Sequence, residues 1–401
     1  MKDEETTKQL ESHLNLSWVY FKQDMLEDSA NELYEALKID SKNKKALKLL
    51  ADIFMKQGDI EKAETTLMQI IALSPDDAAI LKEIGNLLFK KGDLKESINY
   101  YAKCLKLGYS DVELYLNVGN IFKSLGNYQK AFSFFMQAMK LEPENENIMK
   151  LTAELYINLE QYENAAEIYE RMLKKEPGNL DYHKLLGSLY MLLQKWPAAI
   201  EIYKRAASVA PDDLGILNNI AICYSKQEKT KTAIKIFKHI LEKDPNDYQV
   251  LSNLGSVHSK TGSFIDALEY YLKAQELRPN DLRITMAIGV IYDNLGKYEE
   301  AVAIFKKILS AEKDNILAMY YLANLYLYED MVDPAIELYE HLIELAPDNL
   351  DAQTNLALSF LKKKEYEKAL EIYNRILEKY PDNQVASEHK SFILNVLKSE
   401  V

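Results

Sequence analysis

Apolar and polar positions along this chain follow the period of a helix, in short runs that stop and restart. Residues 112–145 show the unit. Leu114, Val118 and Phe122 recur four residues apart, and Ala131, Phe135 and Ala138 recur four and three apart. That interval lays one apolar stripe along a helix. Gly126 and Asn127 separate the two runs, and both residue types punctuate turns. Pro143 closes the second run, since proline cannot continue a helix. The unit predicts two helices joined by a tight turn.

The same unit returns every 34 residues. Pro75, Pro143, Pro177, Pro211, Pro245, Pro279, Pro347 and Pro381 are spaced by 34 or 68, with Ser41, Tyr109 and Lys313 in the vacant places. One small column runs Ser17, Ala51, Gly85, Gly119, Ala153, Gly187, Ala221, Gly255, Gly289, Ala323, Ala357. A second begins Ser29, Ala63, Ser97 and ends at Ala369. A bulky column runs Leu33, Leu67, Tyr101, Phe135, Tyr169, Tyr203, Phe237, Tyr271, Phe305, Tyr339, Tyr373. Helices approach closely only where side chains are short, so a small column facing a bulky one predicts tight helix pairs. Pro197 and Pro334 fall at the start of second helices, where a missing N–H is harmless.

These columns resemble the tetratricopeptide repeat, whose 34-residue unit carries small, aromatic and proline residues at such offsets. Eleven copies in register cover 10–43, 44–77, 78–111, 112–145, 146–179, 180–213, 214–247, 248–281, 282–315, 316–349 and 350–383. A polar lead-in occupies residues 1–9. Residues 384–401 form a capping helix, with Val385, Phe392 and Val396 expected to cover the last repeat. The resemblance implies an all-α, right-handed superhelical solenoid of helix-turn-helix repeats. It further implies a concave groove, lined by the first helix of each repeat, that binds protein segments.

Reading the groove positions by analogy with the family gives three zones. The first is rich in lysine: Lys45, Lys48, Lys56, Lys82, Lys90, Lys123, Lys150 and Lys184, against Asp52, Glu83, Glu113, Glu154 and Asp181. A cationic stripe in a concave face attracts acidic segments. Lys82, Asn86 and Asn117 also match three positions of the clamp that grips a terminal carboxylate in co-chaperone members of the family. Asn147 and Leu151 stand where its remaining basic residues belong and do not match. The second zone is polar: Asn218, Asn219, Ser225, Gln249, Ser252, Asn253, Ser256 and Ser259. An amide offers donor and acceptor together, which suits an extended peptide. Asn15, Asn117, Asn219, Asn253 and Asn355 share one column, similar to the broken form of an asparagine ladder. The third zone is apolar: Met286, Val290, Leu317, Tyr320, Tyr321, Leu327, Tyr328, Leu358 and Leu361, with Asn324 among them. Leu14, Trp18 and Phe21 make a smaller version at the other end. Exposed apolar patches mark contact sites. The binding residues expected from this reading are Lys48, Lys82, Asn86, Asn117, Lys150, Lys184, Asn219, Asn253, Tyr320, Tyr321, Asn324 and Tyr328.

Composition narrows the function. Hydrophobic residues make up 48% of the chain and charged residues 28%, which is a folded composition. The net charge of -13 argues against nucleic acid and anionic membrane as partners, because phosphate binding needs clustered cations. The first residues carry Asp3, Glu4 and Glu5 and no apolar run, so no secretory signal is expected, and the expected compartment is the cytoplasm. No gly-rich phosphate loop is present, and six histidines lie scattered without ligand spacing. His258 sits in an aromatic packing column, and Cys104 and Cys223 read as buried small hydrophobes. No catalytic residues, metal or cofactor are expected. The function expected is a non-catalytic scaffold or adaptor. A peptide-capturing co-chaperone or targeting receptor, and a substrate-recognition subunit of an enzyme complex, are the alternatives. The partners expected are proteins, offering acidic or extended segments, or a second copy of the chain.

Overall fold

The computed structural model describes residues 2–399; Met1, Glu400 and Val401, at the ends of the lead-in and the cap, lie outside the described residues. Among the described residues the regular structure is entirely helical. The helices group into two compact units. The first, ending at Lys195, holds α1 (Lys2–Lys22), α2 (Leu26–Ile39), α3 (Lys44–Gln57), α4 (Ile60–Leu73), α5 (Ala78–Lys91), α6 (Leu94–Lys106), α7 (Val112–Ser124), α8 (Tyr128–Leu141), α9 (Glu146–Asn158), α10 (Tyr162–Lys175) and α11 (Leu180–Leu192). The second, beginning at Trp196, holds α12 (Trp196–Val209), α13 (Leu214–Lys226), α14 (Thr230–Lys243), α15 (Tyr248–Lys260), α16 (Phe264–Leu277), α17 (Leu282–Asn294), α18 (Tyr298–Ala311), α19 (Ile316–Tyr328), α20 (Val332–Leu345), α21 (Leu350–Lys362), α22 (Tyr366–Lys379) and α23 (Gln384–Ser399). Within each unit successive helices pack on one another in hairpin pairs, and leading helices also touch each other, as α5 does α7 and α19 does α21.

Helix starts and stops are encoded locally. From α3 to α21 every leading helix is preceded by Asn or Asp, whose side chain accepts a backbone N–H of the first turn. Each such cap contributes about 1 kcal/mol. The turn inside each pair needs one left-handed residue. Gly58, Gly92, Gly126, Gly262 and Gly296 supply it at no steric cost, while Asp24, Glu160, Gln194, Glu228, Asp330 and Lys364 take the same conformation with a Cβ.

The spacing within pairs comes from the small and bulky columns. The bulky column is buried throughout, from Leu33 to Tyr373. A Cβ built on Gly119 would lie 2.2 Å from Phe135 Cε1, and one on Gly85 would lie 2.7 Å from Tyr101 Cε1. The ring therefore rests directly on the backbone of the leading helix. Cys104 and Cys223 are both buried, and burial pushes each thiol up to about 11. His258 is also interior: it stacks on Tyr270 at 5.4 Å, and burial pulls its pKa down.

The inward stripe of the last helix differs from the one the sequence suggests. Of Val385, Phe392 and Val396, the first two do not cover the last repeat, being about half exposed, and Val396 is only half-buried. Ala386 and Ile393 are buried in their place, and His389 stacks on Tyr373. Asn383 sets this phase by accepting the Ala386 N–H at 2.9 Å, which fixes where the helix begins and which stripe turns inward.

Candidate partner-binding face

The leading helices carry every residue that the sequence singled out, and the structure divides them into clusters with different chemistry. In the first unit most of the zone's lysines are already paired; Lys45 and Lys90 are not among them. Lys48 on α3 lies 2.7 Å from Asp52 and 2.6 Å from Glu83. Burial opposes its charge, but the two carboxylates outweigh that and raise its pKa. Lys123 pairs with Glu154. Lys150 lies 2.5 Å from Glu146 and sits over the Tyr182 ring at 5.3 Å. Lys184 is half-buried on α11 and also engaged. Asp111 and Glu146 are counter-ions that the groove columns do not contain. They stand at the N-termini of α7 and α9, where negative charge also suits the helix dipole.

Lys82, Asn86 and Asn117 do come together. Lys82 contacts Asp111 at 2.6 Å and Glu113 at 2.5 Å. Burial opposes its charge, yet these bonds raise its pKa well above the usual lysine value. Asn86 Oδ1 accepts from Tyr101 Oη at 2.6 Å and from Asn117 Nδ2 at 2.9 Å. The same triad recurs in the second unit, where Asn324 Oδ1 accepts from Tyr339 Oη and from Asn355 Nδ2. Tyr101 and Tyr339 look like pure packing residues in sequence; their hydroxyls orient the groove amides. The asparagine column does not bond along itself. Asn117, Asn253 and Asn355 each donate back to an asparagine in another column, Asn86, Asn218 and Asn324.

Three cavities open on this face. One of about 770 Å³ is lined by Leu14, Trp18, Lys45, Lys48 and Leu49 among others. One of about 320 Å³ has Asp52, Glu83 and Glu113 in its wall. One of about 610 Å³ in the second unit is lined by Asn218, Asn219, Asn253, Ser256, Tyr248 and the two arginines Arg278 and Arg283. Arg278 stacks on Tyr248 at 4.2 Å, and Arg283 pairs with Asp281 at 3.2 Å.

The apolar cluster lies on α19, ILAMYYLANLYLY, which has no charged residue. Its core side buries Met319, Leu322 and Leu325, and Leu327 is buried too. Its other side leaves Leu317 58% and Tyr328 69% exposed. Tyr321 stacks on Phe305 at 5.3 Å, Tyr320 meets it edge-on at 5.8 Å, and Tyr328 packs against Tyr298 at 4.8 Å. Asn324 lies between these rings with its Oδ1 committed inward. Among the described residues its Nδ2 donates to nothing, so a fixed donor faces outward from an apolar surface.

No helix among the described residues is long and apolar enough to cross a membrane, and none of their His, Cys, Asp and Glu side chains cluster as a metal site.

Two family models, both described as tetratricopeptide repeat, match residues 20–87, 124–189 and 326–387, and residues 81–107, 248–281 and 282–315. A model for anaphase-promoting complex, cyclosome, subunit 3 matches residues 160–240. No curated protein matches the chain. Among solved structures, Naa15/Naa10 bound to HypK-THB aligns at 16% identity and TM-score 0.51, over 96% of this chain and 65% of that one. The Cut9–Hcn1 hetero-tetramer of the APC/C aligns at 14% identity and TM-score 0.46, over 94% and 95%. The C-terminal part of a TPR repeat-containing protein from Cytophaga hutchinsonii aligns at 20% identity and TM-score 0.49, over 59% and 97%. At 16% identity the Naa15/Naa10 likeness speaks to fold alone. With repeat models matching most of its length and a fold of stacked helix pairs, the chain belongs to the tetratricopeptide repeat family.

Proposed function

We propose that this protein is a non-catalytic scaffold that holds a segment of a partner protein on its leading-helix face, anchored at α19. The observation that carries the reading is the outward side of that helix. Leu317 and Tyr328 are exposed there, with Tyr320 and Tyr321 half-buried against the core beside them, and the oriented Asn324 amide offers this surface a hydrogen-bond donor. Aromatic residues around a single polar contact are what concentrated binding energy requires. An amphipathic helix or strand fits this chemistry: its apolar side covers the rings, and a backbone carbonyl takes the amide. The lysine zone recommends itself less, since Lys48, Lys82, Lys123 and Lys150 already have carboxylate partners, and exposed ion pairs contribute little. That Naa15/Naa10, a structure of the same fold, was solved bound to HypK-THB supports the general reading.

The test is a double substitution, Leu317→Ser with Tyr328→Ser. Both side chains are exposed, so circular dichroism should not change. Proteins that co-purify with the wild-type chain should be lost, while Lys123→Ala retains them. Retention of the same set by the double variant would refute the assignment.

A further inference from the structure

Lys82 and Asn86 stand one turn apart on α5, and both reach Glu113 at the start of α7. Lys82 Nζ lies 2.5 Å from Glu113 Oε2, and Asn86 Nδ2 donates to Glu113 Oε1 at 2.9 Å. One carboxylate thus takes a donor on each oxygen, the arrangement that makes charge-assisted pairs strong and directional.

The donors are held in place, and the carboxylate is not. The Lys82 side chain is only 14% exposed and is also fixed by Asp111 at 2.6 Å. Asn86 cannot flip, because its Oδ1 accepts from both Tyr101 and Asn117; its NH₂ must therefore face out. Asn117 lies against the Tyr101 hydroxyl as well, at 3.2 Å. Glu113, by contrast, has a side chain 57% exposed. It approaches from solvent, as a ligand would, and nothing else among its contacts holds it there.

We propose that Glu113 is an internal stand-in for a partner's carboxylate. It fills an anion subsite built by Lys82 and Asn86 and backed by Asn117, and so decides which segments the third and fourth repeats accept. With Glu113 in place, an incoming carboxylate meets an occupied site and the like charges of Glu113, Asp111 and nearby Glu83. Segments with acidic ends are turned away, and neutral or basic ones pass. Glu113 is thus a specificity-determining residue on a face whose donors would otherwise select the opposite class of ligand. The inference rests on the reading that partner segments lie along the leading helices.

The experiment uses the full chain and a library of randomised octapeptides, each displayed with a free C-terminal carboxylate and again with a C-terminal amide. The wild type should bind the amide form better than the free carboxylate. Glu113→Ala should favour the free carboxylate at least tenfold, and Glu113→Gln should show a smaller gain. Adding Lys82→Met to Glu113→Ala should abolish the preference. A wild type that already selects free carboxylates would overturn the plug. A Glu113→Ala variant without that selectivity, or without peptide binding, would overturn the subsite. Neither result touches the α19 surface, which is read by loss of co-purified partners on Leu317→Ser/Tyr328→Ser.

Discussion

Replacing Gly119 by alanine tests the contact that sets the spacing of α7 and α8. Two effects oppose each other. Alanine is the better helix former, by about 1 kcal/mol over glycine. The new methyl, however, would sit 2.2 Å from Phe135 Cε1 and 2.4 Å from Cδ1. Phe135 is fully buried and packs with Ala131 and Leu155, with Phe122 and Phe132 around them. It cannot yield without moving its neighbours, and overpacking of this kind costs about 1–3 kcal/mol. The contact is far inside van der Waals range, so the upper half of that span applies. The net loss should be about 1–2 kcal/mol, or a roughly 5–30-fold change in the local opening equilibrium. A repeat array does not unfold as one unit, so the readout is hydrogen exchange at α7 and α8 amides, followed alongside urea unfolding. Exchange should accelerate there and much less in α3 or α11. Adding Phe135→Leu gives the combination found naturally at Ala51 and Leu67, and it should recover part of the loss. The coupling between the two changes should be about 1 kcal/mol, as expected of residues in contact. A neutral or stabilising Gly119→Ala would mean that helix propensity outweighs the clash, and the account of the small column would be wrong.

Two further outcomes follow from the backbone and the charges. Glu228→Gly should stabilise α13 and α14 by about 0.5–1 kcal/mol, because Glu228 sits at φ +61° where five other pairs use glycine, and a left-handed L-residue costs about 1–2 kcal/mol, partly offset by glycine's larger entropy loss on folding; a fall in urea midpoint would contradict this. Asp281 should titrate near 2, not at its ordinary 3.8, because the Tyr248 hydroxyl, Arg283 and two backbone N–H groups favour its charged form while burial opposes it. A depressed folded pKa means that the stability it lends is complete above about pH 4 and disappears as pH falls through 2. Carboxyl-carbon NMR should give that midpoint, and Tyr248→Phe should move it upward; an unshifted midpoint in the wild type would sink the assignment.

Much of the scaffold is legible in the sequence because every repeat solves the same packing problem. Gly119 must be small for the reason Gly85 and Gly255 must: an aromatic ring lies on each. Such positions line up at a 34-residue interval and reveal themselves as columns. The left-handed turn position is harder to see, since Glu160, Glu228 and Lys364 occupy it beside the glycines. The covering face of α23 is missed because the helix lies outside the 34-residue columns. Its phase depends on one cap, Asn383, and a shift of one residue exchanges Phe392 for Ile393.

The candidate binding face obeys a different ruler. Its contacts join one leading helix to the next or to its cap at other separations: Asn86 to Asn117 and Asn324 to Asn355 across 31 residues, Lys82 to Asp111 across 29, Asn86 to Glu113 across 27. A scan at the repeat period places these residues in separate columns and counts their charges as though each were free. That is why the lysine zone reads as a cationic stripe, while in the folded chain its lysines are largely neutralised by neighbours. It is also why the two Tyr–Asn–Asn triads pass unnoticed. The difference between those triads then carries the functional contrast. At the first, Glu113 covers the outward amide and Lys82 stands beside it. At the second, the position of Lys82 is taken by Tyr320 and the amide of Asn324 stays open. The same backbone geometry thus presents a filled ionic site in one unit and an open apolar one in the other, and the proposal that a partner is anchored at α19 rests on the second having no internal competitor.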